Sequence, residues 1–464
     1  MTSQNIPKTH FFTEEDLHIF ELQQIFTACS VWHDKGMNKQ IATFDLFVRE
    51  FPKNRNFLLF GGTEEIIENI KKWNYSEKEV NNLLEFGIIS ENFARYLRNF
   101  KFTGDIHALP EGTIFFPNEP VVRIVAPLLE GNLLTMFLLN AATSNTIFLS
   151  KVIRSVIAAK NRAVITGAAM RAHSFESAFK YGRASYIAGA LGANTIPSFV
   201  AKYNLPKLTT SVKAYHAVIK SFASEIEAMR ETANLFPNMM DFMVDTYDFK
   251  IGVENAIKVA LELKEDGNSI KGITIDSGDL CERAFTARKM LNDAGLKDVE
   301  ITLASNLDEY KIDSLIKQNV PANKFILVTE AITVADDPRL EIVYKLSEVR
   351  YKDRIIPKAK LTEGKQSLPG RKQVFRKYEN GKMIKDIIGL EDEKLGEPLL
   401  IKMIDEGEII YDLPSLDQIK KYVENQIKTL PENLKSITEK QDYNVEISNK
   451  IMNALDSFRE SVVR

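Results

Sequence analysis

Cysteine is scarce in this sequence, and so is histidine. The two cysteines, Cys29 and Cys281, are too few among 464 residues for a disulfide framework. None of the six histidines has the spacing of a zinc site. The glycine-rich Walker-A and G-x-G-x-x-G loops are missing as well. These absences predict a reducing compartment and argue against a structural zinc site or a common nucleotide-binding fingerprint.

The chain also lacks an excess of charge of either sign. It has 60 lysines and arginines against 63 aspartates and glutamates, a formal net charge of -3, whereas binders of nucleic acid or anionic membranes are usually basic. No apolar run approaches the ~18 residues of a membrane span, and the N-terminus has no apolar signal-peptide core. We therefore expect a cytoplasmic protein with small-molecule substrates and no nucleic-acid or membrane partner.

The middle of the sequence contains a repeated strand–helix pattern. Short apolar runs end in small polar clusters, and a helical pattern follows each of them, in segments 241–248, 271–279, 299–306 and 324–331. Such units of about 25–35 residues are typical of a parallel sheet, and four in series favour a βα barrel. In that architecture the chemistry lies at the C-terminal ends of the strands. The predicted fold class is therefore α/β.

The rest of the chain differs from this pattern and divides it into three segments. Residues 1–125 alternate short helices and strands, with Ser76 and Ser90 as expected helix N-caps. Residues 126–345 contain the barrel pattern, and residues 346–464 are lysine-rich strands and turns followed by helices. We interpret the first and last segments as two parts of one second α/β domain.

Acidic side chains follow two of the predicted barrel strands. Asp245 and Asp248 end one run, and Asp276 and Asp279 end the next. Carboxylates at neighbouring strand ends suit a hard cation such as Mg²⁺, or the hydroxyls of a ribose. The alternative is that each aspartate is the N-cap of the helix that follows it.

Two further features could bind or transfer phosphate. The loop Lys365–Arg371 presents basic side chains in a turn, which suits a phosphate, although a solvated hairpin has the same pattern. His216 follows a polar run and could be a catalytic or phosphate-accepting histidine, but a packed or surface histidine is the alternative. Composition and spacing lead only to a cytosolic α/β enzyme acting on a phosphorylated or sugar-containing substrate.

Longer stretches of the sequence resemble nicotinate phosphoribosyltransferases, in collinear order over roughly residues 20–380. The matching segments are NFKFTGD (99–105), PEGTIFFPNEPVVRI (110–124), RASYIAGALGAN (183–194), MVDTYD (243–248), GITIDSGDL (272–280), ASNLDEY (304–310), VYKLSEV (343–349) and KLTEGKQSLPGRKQVFR (360–376).

This resemblance implies a fold and an activity. The fold is an incomplete parallel βα barrel of the type II phosphoribosyltransferase kind, with a second α/β domain formed by both chain ends. The implied enzyme is a homodimer with sites at the subunit interface. It transfers phosphoribose from phosphoribosyl pyrophosphate to nicotinate with Mg²⁺, and yields nicotinate mononucleotide and pyrophosphate for NAD biosynthesis. ATP hydrolysis is coupled to this transfer through a phosphorylated histidine.

The resemblance also assigns roles to residues. His216 matches the phosphorylated histidine, and Asp245 and Asp276 match the carboxylates near ribose and metal. Asp279 is the fourth candidate catalytic residue. The candidate substrate-binding residues are Arg171, Lys213, Thr274, Gly278, Thr329, Lys365 and Arg371.

Several positions of the base site depart from the family pattern. Gln23-Gln24 stands where the family has Tyr-Gln, and residues 166–171 (TGAAMR) lack the phenylalanine of Phe-Gly-x-Arg-Arg. Thr274 replaces an arginine, and Leu327-Val328-Thr329 lacks the glycine of Val-Gly-Thr.

Three hypotheses follow from these departures. The first is a working enzyme with a rebuilt pyridine pocket, in which Lys213 or Tyr215 substitutes for the lost groups. The second is a phosphoribosyltransferase for another base. The third is a non-catalytic nucleotide-binding homologue.

Overall fold

The structure is a computed structural model that describes residues 17–167, 169–192, 196–205, 212–352 and 354–463. Its strands are β1 (Ile41–Val48), β2 (Leu58–Leu59), β3 (Asp105–Ala108), β4 (Ile114–Phe115), β5 (Pro120–Pro127), β6 (Ala163–Thr166), β7 (Val212–Ala214), β8 (Met240–Met243), β9 (Gly272–Ile275), β10 (Glu300–Leu307), β11 (Lys324–Leu327), β12 (Ile342–Tyr351), β13 (Arg354–Pro357), β14 (Lys372–Glu379), β15 (Lys382–Leu390), β16 (Glu397–Pro398), β17 (Ile401–Asp405), β18 (Glu408–Ile409) and β19 (Val445–Ile447).

The α-helices are α1 (Gln23–Asp34), α2 (Thr63–Lys72), α3 (Glu77–Glu85), α4 (Glu91–Leu97), α5 (Leu128–Asn132), α6 (Thr135–Ala159), α7 (Phe175–Ile187), α8 (Pro197–Tyr203), α9 (His216–Ser221), α10 (Glu225–Leu235), α11 (Phe249–Glu265), α12 (Leu280–Asp293), α13 (Glu309–Lys317), α14 (Thr329–Ile332), α15 (Leu416–Thr429) and α16 (Asn449–Val463). Short 3-10 helices cover Met37–Lys39, Ala169–Arg171 and Glu432–Lys435.

Both ends of the chain build a seven-stranded antiparallel sheet in the order β13-β12-β1-β5-β3-β17-β18. This arrangement confirms the prediction that the chain ends share one domain. The proposed boundaries at 125/126 and 345/346 fall inside β5 and β12, so each proposed segment shares a strand of this sheet with its neighbour. A smaller sheet, β16-β14-β15-β19, adds a short strand to the predicted helical tail.

The middle of the chain forms the barrel. Six parallel strands lie in the order β6-β11-β10-β9-β8-β7, and Leu191 adds a parallel bridge to Ile165 outside β6. No pairing between β6 and β7 closes the ring in the described part of the chain. The strands are short and largely buried because helices cover their outer face, which is the usual setting of parallel strands. The predicted incomplete barrel is therefore confirmed.

Local sequence signals explain where helices begin. Ser76 caps α3 in a capping box with Glu79, and Ser90 caps α4, both as predicted. Within the described ranges one helix, α6, is long and apolar enough to cross a membrane. However, 72% of its most apolar window is buried inside the fold, so it also fits the description of a core helix.

Candidate functional site

Two aspartates lie at the C-terminal ends of neighbouring barrel strands. Asp245 follows β8 and Asp276 follows β9. Asp245 Oδ2 accepts hydrogen bonds from the backbone N–H of Asp276, at 2.8 Å, and from Ser277 Oγ, at 2.6 Å. The Asp245 side chain is 1% exposed, whereas that of Asp276 is 36% exposed. Asp245 therefore orients the loop, and Asp276 presents its carboxylate to the barrel mouth.

His216 joins this pair from the third strand. It is the first residue of α9, two residues after the last residue of β7, and its Nδ1 lies 3.0 Å from Thr246 Oγ1. Its Nε2 lies 3.7 Å from Asp276 Oδ2. Burial, and then the charge of Asp245, raise the pKa of Asp276, while His216 opposes the shift. The acid–imidazole cluster, which we define as His216, Asp245 and Asp276, is thus assembled from three consecutive strands.

The other two aspartates of the predicted clusters are helix caps. Asp248 accepts a hydrogen bond from Ile251 N at the start of α11. Asp279 Oδ1 accepts from the backbone N–H groups of Cys281 and Glu282 at the start of α12. The alternative interpretation as N-caps is correct for both residues. A catalytic role for Asp279 stays a prediction that has to be reconciled with this capping.

Arg283 holds the loop between β9 and α12, and the sequence did not single it out. Its Nη1 donates to the carbonyl oxygen of Ser277, at 2.9 Å, and to Ser277 Oγ, at 2.8 Å. The backbone of Gly278 has φ +73°, and a Cβ there would lie 2.4 Å from the guanidinium. Gly278 therefore allows both the left-handed turn and the close approach of Arg283. The sequence does contain an indication of this contact: Arg283 lies one helical turn after the N-cap Asp279, from where its side chain can reach the preceding loop.

A second group of polar side chains lies inside the barrel. Lys213 Nζ donates to Thr274 Oγ1 at 2.6 Å and lies 3.0 Å from Asp241 Oδ1, while Thr274 Oγ1 donates to the same carboxylate at 2.5 Å. These three residues come from β7, β8 and β9, and we call them the Lys213 triad. Lys213 and Thr274 were predicted substrate-binding residues, whereas Asp241, at the start of the apolar run DFMV, was missed.

The two carboxylates suit a Mg²⁺ ion that is coordinated jointly by protein, substrate and water rather than enclosed by protein ligands alone. The described residues contain no group of three or more His, Cys, Asp or Glu side chains able to hold a metal. Asp245 Oδ1 is buried and has no hydrogen-bond partner in the described structure, and Asp276 is half exposed beside it. Mg²⁺ commonly takes one or two protein carboxylates and completes its shell with water and substrate phosphates.

Comparison with known proteins gives consistent matches along the chain. The family model for the nicotinate phosphoribosyltransferase (NAPRTase) N-terminal domain matches residues 21–143, and that for the nicotinate phosphoribosyltransferase C-terminal domain matches residues 394–455. A nicotinate phosphoribosyltransferase of Mycobacterium tuberculosis is 35% identical over 446 residues, covering 95% of this chain and 93% of the relative. The chain belongs to the nicotinate phosphoribosyltransferase family.

Other members and solved structures agree with this assignment. The nicotinate phosphoribosyltransferase of Bacillus subtilis is 30% identical and covers 94% of each chain. The crystal structure of human nicotinic acid phosphoribosyltransferase has a TM-score of 0.81 at 21% identity, covering 94% of this chain and 99% of that one. A nicotinate-nucleotide pyrophosphorylase from Pyrococcus furiosus has a TM-score of 0.72 at 20% identity, covering 91% and 99%. These two structures confirm the predicted fold.

Within this family fold, the remaining predicted substrate residues fall into two places. Arg171 is exposed in the 3-10 helix after β6, and Thr329 begins α14 after β11, so both lie at C-terminal strand ends of the barrel. Lys365 and Arg371 lie outside the barrel, in the connection between β13 and β14. Arg371 pairs with Glu348 at 3.1 Å. In the described structure, no hydrogen bond or ion pair joins either side chain to the acid–imidazole cluster.

Lys365 instead belongs to a cluster of cations beside the seven-stranded sheet. Burial, followed by the charges of Arg49, Lys360 and Lys365, lowers the pKa of Lys345. Arg49 also lines a cavity of about 700 Å³. We call Arg49, Lys345, Lys360 and Lys365 the basic cluster. Its mutual repulsion is relieved by an anion, so this surface suits a phosphate-containing ligand.

Proposed function

We propose that this protein transfers the phosphoribosyl group of phosphoribosyl pyrophosphate to nicotinate in the cytoplasm, giving nicotinate mononucleotide and pyrophosphate for NAD salvage. Membership of the family supports the reaction. The observation that carries the assignment is the convergence of His216, Asp245 and Asp276 at the ends of three consecutive barrel strands. A family member that retains this arrangement has the groups that phosphoribosyl transfer requires.

The charges of the reaction explain why carboxylates serve here. Bond breaking leaves positive charge on the ribose and negative charge on the departing pyrophosphate, so opposite charges must be held on the two sides of one sugar. Asp276 is the exposed carboxylate and would face the ribose, while Asp245 fixes the backbone of Asp276. Mg²⁺ held by Asp245 and Asp276 would neutralise the pyrophosphate oxygens.

We assign the coupling to ATP to His216. Its Nδ1 is engaged by Thr246 Oγ1, which leaves Nε2 on the side of Asp276 as the nucleophile. Nε2 would attack the terminal phosphorus of ATP, forming an N–P bond while the bond to the departing ADP oxygen breaks. Water later hydrolyses this phosphohistidine. Asp276 would help to orient the imidazole during both steps.

We also propose that the active form is a homodimer. Lys365 and Arg371 are proposed phosphate contacts, yet within one chain they have no contact with the acid–imidazole cluster in the described structure. A second subunit could bring its own basic cluster to the barrel mouth, where it would meet the pyrophosphate. Equilibrium sedimentation together with activity of mixed dimers carrying His216→Ala in one subunit and Lys365→Ala in the other would test this arrangement.

Product analysis tests the proposed function directly. Purified protein is incubated with phosphoribosyl pyrophosphate, Mg²⁺ and nicotinate, with and without ATP, and the products are separated by chromatography. Nicotinate mononucleotide that forms faster with ATP is the expected result. Product with other bases but not with nicotinate would replace the substrate. Absence of any product, together with absence of phosphoribosyl pyrophosphate binding, would overturn the assignment in favour of a non-catalytic homologue.

A further inference from the structure

Four carboxylates lie at one side of the barrel mouth, and nicotinate would bring a further one. Asp245, Asp248, Asp276 and Asp279 all lie at the ends of β8 and β9. Nicotinate carries a carboxylate of its own, and a carboxylate near these groups is repelled unless a cation compensates it. The base of the substrate therefore needs a fixed positive charge inside the barrel.

Arg283 is poorly placed to supply that charge. Its guanidinium is committed to Ser277 and lies over the ring of Phe249, at 5.0 Å from the ring centroid. His216 already has a role in the acid–imidazole cluster, where Nδ1 contacts Thr246 and Nε2 is the proposed nucleophile. Lys213 is the cation that β7, the strand before His216, directs into the barrel.

The surroundings of Lys213 differ from those of an ordinary buried ion pair. The side chain of Asp241 is 3% exposed and Thr274 is fully buried, but the side chain of Lys213 is 30% exposed. An ammonium group has three N–H donors; Thr274 Oγ1 accepts one of them at 2.6 Å, and Asp241 Oδ1 forms an ion pair with the group at 3.0 Å. Because the Lys213 side chain is 30% exposed, the ammonium group has a donor for a further acceptor that enters from the mouth.

The hydrogen bond to Thr274 places this ammonium group beneath the reacting groups. The backbone of Lys213 pairs with Asp241, and Asp241 pairs with Gly272, but the Lys213 side chain reaches Thr274 Oγ1 at 2.6 Å, so its ammonium group lies at the level of Thr274. Asp276 lies two residues beyond Thr274, and two residues advance about 6.6 Å along a strand on the same face. A pyridine ring whose nitrogen meets the ribose at the level of Asp276 would point a ring carboxylate towards the level of Lys213.

We propose that Lys213 binds the carboxylate of nicotinate and determines specificity for the acid over the amide, with Asp241 and Thr274 as positioning residues. This inference rests on the proposed function and adds the residue that recognises the carboxylate of the base. The buried carboxylate and hydroxyl hold the ammonium in one place, so little side-chain freedom is lost when the substrate binds. A neutral amide gains much less from the same ammonium group.

The test uses variants that keep the barrel folded. Lys213→Met alone would leave Asp241 as an uncompensated buried charge, so the double variant K213M/D241N removes both charges and preserves side-chain volume. K213R retains the charge, and Thr274→Val removes only one anchor. Lys271→Met, an exposed lysine at the opposite end of β9, is the matched control. Thermal unfolding confirms that each variant is folded before kinetics are compared.

We expect the variants to change KM for nicotinate more than KM for the other substrates. In the wild-type protein and each variant, KM is measured for nicotinate, nicotinamide and phosphoribosyl pyrophosphate. K213M/D241N should raise KM for nicotinate about 10- to 100-fold, the loss expected for one charge-assisted hydrogen bond. KM for phosphoribosyl pyrophosphate should stay within about threefold, and the preference for nicotinate over nicotinamide should collapse. Thr274→Val should raise KM for nicotinate by several-fold with kcat unchanged.

Two different failures are distinguishable. If the wild-type protein forms no nicotinate mononucleotide, the proposed function itself fails. If the wild-type protein is active but folded K213M/D241N keeps its KM for nicotinate and its preference over nicotinamide, the Lys213 triad is structural and this inference is wrong. An equal rise of KM for nicotinate and nicotinamide would also contradict recognition of the carboxylate by Lys213.

Discussion

Two groups of ionisable side chains in this molecule differ in how exposed and how fully paired they are. In the acid–imidazole cluster, Asp276 and His216 are 36% and 37% exposed and 3.7 Å apart. In the second group, Glu309 is fully buried and contacts Lys151, at 2.6 Å, and two arginines. We call this second group the buried network; its members are Arg55, Lys151, Arg154, Glu309 and Asp336.

The difference shows how the same residue types serve binding in one place and architecture in another. The buried network connects the loop after β1 with α6 and α13, and its two carboxylates are surrounded by three cations. The charged groups of this network therefore already have partners within the protein, and we do not expect them to bind a ligand. The acid–imidazole cluster instead leaves the Asp276 carboxylate 36% exposed at the barrel mouth, where it can meet the proposed substrate and metal ion.

The largest effect that this comparison predicts is on activity. Asp276→Asn removes the exposed carboxylate and should lower kcat/KM by about 10²- to 10⁴-fold, because the developing charge on ribose is no longer compensated. The free energy of unfolding should not fall. The pKa of Asp276 is raised in the native protein, so ionisation above its unfolded value of 3.8 costs stability, and this cost disappears in the variant. Steady-state kinetics and urea unfolding at pH 7 measure both quantities.

Wild-type turnover by this variant would contradict the role assigned to Asp276. A large loss of stability would contradict the distinction between the two groups.

The buried network should respond in the opposite way. Glu309→Gln leaves three buried cations with one carboxylate, and we expect a loss of about 3–5 kcal/mol in the free energy of unfolding. Because Glu309 belongs to the buried network rather than the catalytic cluster, kcat/KM of the folded protein should stay within about threefold. Arg230→Gln, which breaks the exposed pair with Glu262, is the control and should leave the urea midpoint unchanged. An unaltered midpoint for Glu309→Gln would show that the network is not structural.

The pH dependence of stability provides a smaller but more specific test. The charges of Arg55 and Lys151 outweigh desolvation and lower the pKa of Asp336 from 3.8 to about 2. A lowered carboxyl pKa stabilises the native state above the unfolded value and loses this contribution as pH falls through the folded value. Asp336→Asn should therefore cost about 2 kcal/mol at pH 7. The difference from wild type should shrink between about pH 4 and pH 2 in urea unfolding.

A difference that stays constant over this range would mean that Asp336 acts through packing rather than charge.

The sequence predicted the barrel and the carboxylate pair for a clear reason. Apolar runs that end in polar residues mark strand ends, and neighbouring parallel strands bring those ends together, so Asp245 and Asp276 were expected at one edge. The same local pattern left N-capping as the alternative for each aspartate, and Asp248 and Asp279 are N-caps in the structure. His216 was assigned by resemblance, since β7 is only three residues long and gives little pattern of its own.

Partners that lie far apart in sequence could not be predicted in this way. Lys213 and Thr274 are 61 positions apart, and Thr274 and Asp241 are 33 apart, so their contact depends on barrel register rather than local pattern. Asp241 begins an apolar run, where a carboxylate is expected only if a cation accompanies it. The location of Lys365 relative to the cluster likewise depends on tertiary structure, and on the second subunit if the proposed homodimer forms.

The smallest expected effect concerns the link between the two aspartates. Ser277 Oγ donates to Asp245 Oδ2, at 2.6 Å, and accepts from Arg283 Nη1, at 2.8 Å, so it connects the buried carboxylate with the loop cation. Ser277→Ala removes one of two hydrogen bonds to that oxygen, while the backbone N–H of Asp276 keeps the other. The cost of one such bond, about 0.5–1.5 kcal/mol, corresponds to roughly a 2- to 12-fold fall in kcat/KM. Ser277→Thr, which keeps the hydroxyl, should retain more of the activity than Ser277→Ala. If both variants are fully active, the Ser277 hydroxyl is not needed to hold this loop, and the hydrogen bond from the backbone N–H of Asp276 to Asp245 is enough to keep the carboxylate pair in place.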